Sequence, residues 1–165
     1  MALDPRTPMV VGVGQAMTPP DAGLEPGERP EPLELMVRAL RAAAEDCDGA
    51  PGGGTAPSGH ALLRRADSIR VVVPLGWRVP NPALLVASRL GFAEGAEPAE
   101  LMLSAIGGNA PQALMHDACR AISRGDRDVV LVTGAEAMYA RALARRHPEG
   151  AHLSWTDQAA ETTPP

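Results

Sequence analysis

The sequence contains no lysine, and aromatic residues make up only 2% of its 165 positions. All fifteen basic residues are arginine, they are scattered along the chain, and the net charge is −5. The densest group, Arg141, Arg145 and Arg146, is interpreted as the solvated face of a short helix. Because phosphate binding requires clustered positive charge, this composition argues against nucleic acid as a partner.

Cysteine and long hydrophobic runs are also scarce. Only Cys47 and Cys119 are present, far apart and without a C-x-x-C pair, so neither a disulfide framework nor a metal site is expected. No stretch approaches the roughly 18 consecutive apolar residues of a membrane span. The N-terminus lacks the basic and apolar segments of a secretory signal. These features predict a cytoplasmic protein without a membrane partner.

The chain is nevertheless 45% apolar, which is enough for one compact domain and too much for wholesale disorder. The expected domain covers residues 1–138. A flexible loop is expected at residues 48–60, where glycine, proline and serine dominate. Apart from two helical turns over residues 140–146, residues 139–165 show no core-forming period, so a poorly ordered tail is expected there.

Short apolar runs alternate with amphipathic segments along this domain. We predict helices that begin at Pro32, Pro82 and Ala110, and strands over residues 8–15, 66–74, 100–106 and 128–134. Asn81 and Gly91 have the residue types that start and stop a helix, and Gly125 fits the end of the third helix. The order predicts an α/β fold with a mostly parallel sheet flanked by helices.

Gly12-Val13-Gly14 follows the first predicted strand and resembles the start of a dinucleotide-binding turn. The third glycine of that pattern is absent, because position 17 is Met17. Pro19-Pro20 then stand where the phosphate-binding helix would continue, and proline disrupts a helix interior. A dinucleotide site is therefore rejected.

The turn from Ser104 to Gln112 is the better candidate site. Gly107 and Gly108 allow the backbone to pass close under a ligand, and the helix that follows offers unpaired N–H groups to an anion or a thioester oxygen. Asn109 and Gln112 have the spacing of a reciprocal helix cap. The alternative is an ordinary tight strand-to-helix turn, which uses the same residue types.

Four segments resemble the N-terminal half of the thiolase superfamily, in particular thiolase-like proteins described as acetyl-CoA acetyltransferases. They are RTPMVVGVGQ, PLELMVRALRAAAEDC, ADSIRVVV and LSAIGGNAPQALMHDACRAISRGDRDVVLVTGAEAM, so the likeness runs from about Arg6 to Met138. The resemblance implies the N-terminal half of a thiolase-like fold, acyltransferase activity in lipid metabolism, and a coenzyme A thioester as substrate, with no covalently bound cofactor.

In that family the third helix begins with a nucleophilic cysteine, which the helix dipole stabilises as a thiolate. The resemblance places this position at Gly108, or at Gly107 if the turn differs by one residue. Glycine has no side chain to acylate, so no catalytic residue is assigned, and Gly107, Gly108 and Asn109 are the expected substrate-binding residues. Cys47 and Cys119 are interpreted as packing residues, and the histidines at positions 116, 147 and 152 match no catalytic histidine of the family.

Two hypotheses of different classes follow. The first is a truncated thiolase-like acyl-CoA acyltransferase homologue, inactive by the cysteine route, whose partner is a missing C-terminal thiolase half. The second is a non-catalytic interaction subunit or dimerisation module of a split thiolase-like complex, including a homodimer. A chain without any function is a third reading, since an uncovered apolar sheet favours aggregation.

Overall fold

A computed structural model describes residues 4–49, 57–147 and 150–158. These ranges contain five α-helices and three β-strands, with one 3-10 turn, Pro26–Glu28, near the N-terminus. Their order is α1 Pro32–Gly49, α2 Gly59–Arg64, β1 Ser68–Val71, α3 Pro82–Leu90, β2 Glu100–Leu103, α4 Ala110–Arg124, β3 Val130–Thr133 and α5 Met138–Arg146. Within these ranges no helix combines the length and apolar character needed to cross a bilayer.

The three strands form one parallel sheet in the order β2-β1-β3. Ser68 at the start of β1 stands opposite Glu100 of β2 and Val130 of β3. Parallel neighbours need crossover connections, and α3 and α4 supply elements of those connections. The predicted α/β class with a parallel sheet flanked by helices is confirmed.

The core lies between one face of this sheet and helices α1 and α3. Ile69 and Val71 of β1 are fully buried, because alternate residues of a strand point to the same face. The helices supply the other half of this cluster through Leu33, Met36, Val37, Leu40, Val86 and Ala87. Apolar residues at helical spacing in the sequence therefore mark the buried face of α1 correctly.

The intervening residues of β1, Ser68 and Arg70, bind the partly buried carboxylate of Glu100 in β2. Arg70 is only 2% exposed, and its Nη2 donates to Glu100 Oε2 at 2.8 Å while Ser68 Oγ donates to the same oxygen at 2.5 Å. Partial burial by itself would raise the pKa of Glu100. The hydrogen bond from Ser68 and the charge and hydrogen bonds of Arg70, with a smaller contribution from Arg127, outweigh that effect and hold this pKa below its usual value.

The predicted first strand is wrong. Residues 8–15 lie in neither a helix nor a strand, and the side chains of Met9, Val10, Val11 and Val13 are 56–69% exposed. A Val-rich run becomes a strand only where a neighbouring edge pairs with it, and β3 pairs only with β1 among the described residues. The segment lies instead along α1, where a Cβ on Gly12 would stand 2.1 Å from the carbonyl oxygen of Ala43.

Helix ends agree with the sequence at three positions and differ at one. The Asn81 side chain accepts a hydrogen bond from Leu84 N, and Gly91 and Gly125 adopt the left-handed conformation with φ of 95° and 79°. The expected reciprocal cap at Asn109 is wrong. Asn109 makes no side-chain cap bond, and the Gln112 amide is 2.8 Å from a ring nitrogen of His116 one turn further on.

The region from residue 139 differs in part from the expected poorly ordered tail. Helix α5 covers Met138–Arg146, and Trp155 is 9% exposed, with its ring edge-on to Trp77 at a centroid distance of 5.0 Å. Trp155 Nε1 also donates to the carbonyl of Arg29 at 2.9 Å. These contacts join residues far apart in sequence, which local periodicity does not report. Residues 148–149 and 159–165 lie outside the described residues.

The expected flexible loop at residues 48–60 falls mostly on residues 50–56, which lie outside the described residues. Its two ends belong to helices, since α1 continues to Gly49 and α2 begins at Gly59. Asp48 Oδ1 accepts a hydrogen bond from Gly59 N at 2.6 Å and so ties the two helices together.

Candidate functional site

The candidate turn lies at the carboxyl end of the parallel sheet, where open α/β sheets bind their ligands. It begins directly after β2 with Ser104, whose backbone N–H donates to the carbonyl of Val71 at 2.9 Å. Its hydroxyl in turn accepts from Val73 N at 3.1 Å. Ser104 thus joins the exits of β1 and β2 and fixes where the turn starts.

Backbone hydrogen bonds define the path of the turn into α4. Ala110 N donates to the carbonyl of Gly107 at 3.0 Å, and Ala113 N donates to the carbonyl of Asn109 at 2.9 Å. Within the described part of the chain, the amides of Gly107, Gly108 and Asn109 donate to no acceptor. All three residues are exposed. The turn therefore offers consecutive free N–H groups at the N-terminus of a 15-residue helix, which is where negative charge is stabilised.

Gly108 has room for a side chain. A Cβ built on Gly108 meets no atom within 4 Å, and its φ lies outside the left-handed region. A Cβ on Gly107 would approach only the Asn109 side-chain oxygen, at 2.9 Å, and that side chain is flexible. Packing therefore does not require glycine at Gly108, and the backbone leaves room for a side chain there.

Glu136, which the sequence analysis did not single out, organises the neighbouring strand end. Its carboxylate follows β3 and accepts hydrogen bonds from Leu75 N at 2.6 Å and Gly76 N at 3.0 Å. It therefore holds the loop that leaves β1. The sequence signal for Glu136 is an acidic residue shortly after the fourth apolar run, in the segment GAEAM.

An open recess lies between the turn and this strand end. It is bordered by Pro111 in the first turn of α4 and by the exits of β1 and β3, namely Val72, Val73, Val132, Thr133, Gly134, Ala135 and Glu136. Apart from Glu136 and Thr133 its side chains are apolar. The recess therefore suits an uncharged ligand group that lies beside the free amides.

The cysteines and histidines do not complete a catalytic set at the turn. Cys119 lies ten residues beyond Asn109, roughly 15 Å along the helix axis. Cys47 and Cys119 both line an apolar cavity beside β3. His116 contacts Gln112, and His147 and His152 are exposed residues after the last strand. Across the described ranges, no three His, Cys, Asp or Glu side chains converge as a metal site requires.

The chain was compared with known proteins. No protein-family model matches it, and a search of curated proteins gives no match. The solved structure of a monomeric SCP2-thiolase-like protein type 1 from Mycobacterium smegmatis matches at 32% identity and a TM-score of 0.57. The match covers 78% of this chain and 23% of that protein, so the chain spans less than a quarter of its length. Sequence identity and backbone overlap agree over the same region, and the chain has a thiolase-like fold.

Proposed function

We propose that the chain is part of a thiolase-like acyl-CoA acyltransferase homologue and that its turn at Gly107, Gly108 and Asn109 binds the carbonyl oxygen of a coenzyme A thioester. The observation that carries this proposal is the run of three amides without acceptors at the N-terminus of α4. The likeness to a SCP2-thiolase-like protein supports the class of ligand. The location at the carboxyl end of a parallel sheet supports a ligand of any class.

The chemistry available at the turn is electrostatic. Backbone N–H groups that donate to a thioester oxygen stabilise negative charge on that oxygen and make the carbonyl carbon more electrophilic. Neither Gly107 nor Gly108 carries a group that could attack this carbon. In this proposal the acyl group therefore stays on coenzyme A, and the covalent cysteine route does not start from these positions.

The test compares acetyl-CoA with free coenzyme A by isothermal titration calorimetry. We expect acetyl-CoA to bind more tightly, and Gly108→Leu to weaken its binding at least about tenfold, because a leucine side chain covers the free amides. Ala113→Leu is the matched control, since Ala113 is exposed on the same helix and its amide is already bonded. Equal affinity of the wild type and Gly108→Leu for acetyl-CoA would contradict the proposal.

A second candidate is a non-catalytic interaction module. It is favoured by apolar side chains exposed beside the site, where Leu75 and Met138 are each 57% exposed and Met138 Sδ adjoins Gly76. The matched solved protein is described as monomeric, which gives no support to a homodimer. Sedimentation velocity of the wild type and Met138→Ser decides this candidate: a self-association that the substitution removes supports it, and a monomer at every concentration rejects the homodimer.

A further inference from the structure

The loop of residues 72–77, which we call the exit loop, leaves β1 and borders the recess with its first two residues. The amides of Leu75 and Gly76 donate to the carboxylate of Glu136 at 2.6 and 3.0 Å, and Glu136 also borders the recess. Arg141 of α5 donates to the carbonyl of Gly76. A Cβ on Gly76 would stand 2.5 Å from Glu136 Oε2, so this close approach requires glycine.

Trp77, the last residue of the exit loop, is held by a second segment of the chain. Its Nε1 donates to the carbonyl of Thr156 at 2.7 Å, and its ring meets the ring of Trp155 edge-on at a centroid distance of 5.0 Å. Both partners belong to residues 150–158, which form neither helix nor strand and which we call the strap. The exit loop is therefore fixed at Gly76 by groups beside the recess and at Trp77 by the strap.

A few side chains anchor the strap to the rest of the fold. Trp155 Nε1 donates to the carbonyl of Arg29 at 2.9 Å. The backbone N–H and the hydroxyl of Thr156 donate to the two carboxylate oxygens of Glu31 at 2.9 and 3.1 Å. Arg89 donates to both Glu31 and the Thr156 hydroxyl. Because these contacts are concentrated at two residues of an irregular segment, we expect the strap to detach locally, without global unfolding.

We propose that the strap is coupled to the thioester site through the exit loop, with Trp155 and Thr156 as positioning residues. Docking of the strap strengthens binding of a coenzyme A thioester, and the bound thioester favours docking by the same factor. This inference rests on the proposed function. The path of the coupling is defined, because Glu136 binds the amides of the exit loop and borders the recess together with Pro111 of α4.

The direction of the coupling follows from the carboxylate of Glu136. With the strap docked, Trp77 holds the exit loop in place, and the amides of Leu75 and Gly76 occupy this carboxylate. When the strap detaches, the exit loop loses the contacts that hold Trp77, and its hold on the carboxylate weakens. A released carboxylate is a strong acceptor for the free amides of the turn, and its charge opposes negative charge on a thioester oxygen. The docked strap removes this competition.

The experiment uses the full chain and acetyl-CoA, and the two tryptophans of the chain, Trp77 and Trp155, report on the strap. Quenching of their fluorescence by acrylamide is measured with and without acetyl-CoA. We expect saturating acetyl-CoA to lower the quenching constant of the wild type, because the ligand favours the docked strap. Gly108→Leu, which covers the free amides, should show no protection at the same concentration. A purely structural role of Trp155 would not produce this ligand-dependent protection.

Isothermal titration calorimetry then measures the affinity for acetyl-CoA. Trp155→Ala should weaken binding at least about fivefold, and Trp155→Phe, which keeps an aromatic ring against Trp77, should recover part of the loss. Thr156→Val is a milder change that keeps the backbone bond to Glu31, and it should weaken binding about threefold. Ser58→Ala is the matched control, because it also removes a hydroxyl hydrogen bond, in α2, and should leave the affinity unchanged.

The outcomes distinguish this inference from the proposed function. If the wild type binds acetyl-CoA and both Trp155→Ala and Thr156→Val bind it equally well, the coupling is overturned and the thioester site is not affected. Equal quenching constants with and without bound acetyl-CoA also overturn the coupling. Equal losses of affinity in Thr156→Val and Ser58→Ala overturn it as well, since general destabilisation then explains both. If the wild type does not bind acetyl-CoA, the proposed function fails and the coupling fails with it.

Discussion

Placing a thiol at Gly108 tests whether the start of α4 has the electrostatics of a nucleophile site. The variant Gly108→Cys is made in a background of Cys47→Ala and Cys119→Ala, so that it carries the only thiol. No atom lies within 4 Å of the new Cβ and the backbone is not left-handed, so we expect the variant to fold as the wild type does.

The expected pKa shift of the new thiol follows from the free amides and the helix dipole. A thiol has an ordinary pKa of about 8.5, and helix N-termini lower it to about 7.5 or less. A shift of one unit raises the thiolate fraction at pH 7 from about 3% to about 24%, so the thiolate-limited alkylation rate should rise about eightfold. The shift corresponds to about 1.4 kcal/mol, which the dipole and one additional hydrogen bond supply together.

The assay measures the rate of alkylation by iodoacetamide against pH, with the product followed by intact mass. Ser123→Cys in the same background is the control, because Ser123 is exposed near the opposite end of α4, where the dipole disfavours a thiolate. We also expect Gly108→Cys, and not Ser123→Cys, to gain the mass of an acetyl group when incubated with acetyl-CoA. Identical pKa values for the two thiols would refute the electrostatic reasoning.

Three further predictions concern stability and are measured by urea unfolding. Asn109→Ala should change the free energy of unfolding by less than about 0.5 kcal/mol, because the Asn109 side chain caps nothing. Asn81→Ala should lower the free energy of unfolding by about 1 kcal/mol or more, since it loses a cap bond at a residue with φ of 38°. Equal costs for the two variants would contradict the assigned caps. Glu100→Gln should cost about 3 kcal/mol near neutral pH, because it leaves the buried Arg70 guanidinium without its carboxylate. Because the pKa of Glu100 is lowered in the folded state, its contribution to the free energy of unfolding is complete above the ordinary pKa of 4.5 and is lost as the pH falls through the folded-state pKa. The free energies of unfolding of the wild type and Glu100→Gln should therefore converge in acid. A difference that stays constant with pH would exclude this linkage. Trp155→Ala should cost about 3 kcal/mol, because it removes a ring packed on Trp77 and a hydrogen bond to Arg29, and a near-zero effect would show that residues 150–158 do not dock in solution.

Local signals predicted helices α1, α3 and α4, but not the short helix α2. The apolar spacing of α1, the Asn81-Pro82 start of α3 and the glycines after α3 and α4 each act within a few residues, so they are legible in the sequence. The turn at Gly107 and Gly108 was located for the same reason, because it joins an apolar run to an amphipathic helix. Its free amides became visible only when the hydrogen bonds of the turn were known.

The expected cap at Asn109 fails locally, whereas two larger errors involve partners that are distant in sequence. Residues 8–15 have the composition of a strand, but a strand exists only when a second edge supplies hydrogen bonds, and the described chain does not pair one with it. Trp155 was expected in a poorly ordered tail, and its partner Trp77 lies in another segment, after β1. The burial of Arg70 also depends on the fold, because Glu100 of the neighbouring strand stabilises its guanidinium together with Ser68.

The sequence by itself determined helices α1, α3 and α4, the end residues Asn81, Gly91 and Gly125, the parallel α/β class and the position of a glycine turn before α4. Each of the helix and turn signals depends on neighbours within a turn or two of chain. Only the tertiary structure decided the strand order β2-β1-β3, the burial of Arg70 against Glu100 and the unpaired edge of β3. These three features depend on which backbone and side-chain groups meet across the fold. Loop closure brings such groups together from distant parts of the chain, and no local sequence pattern indicates that they meet.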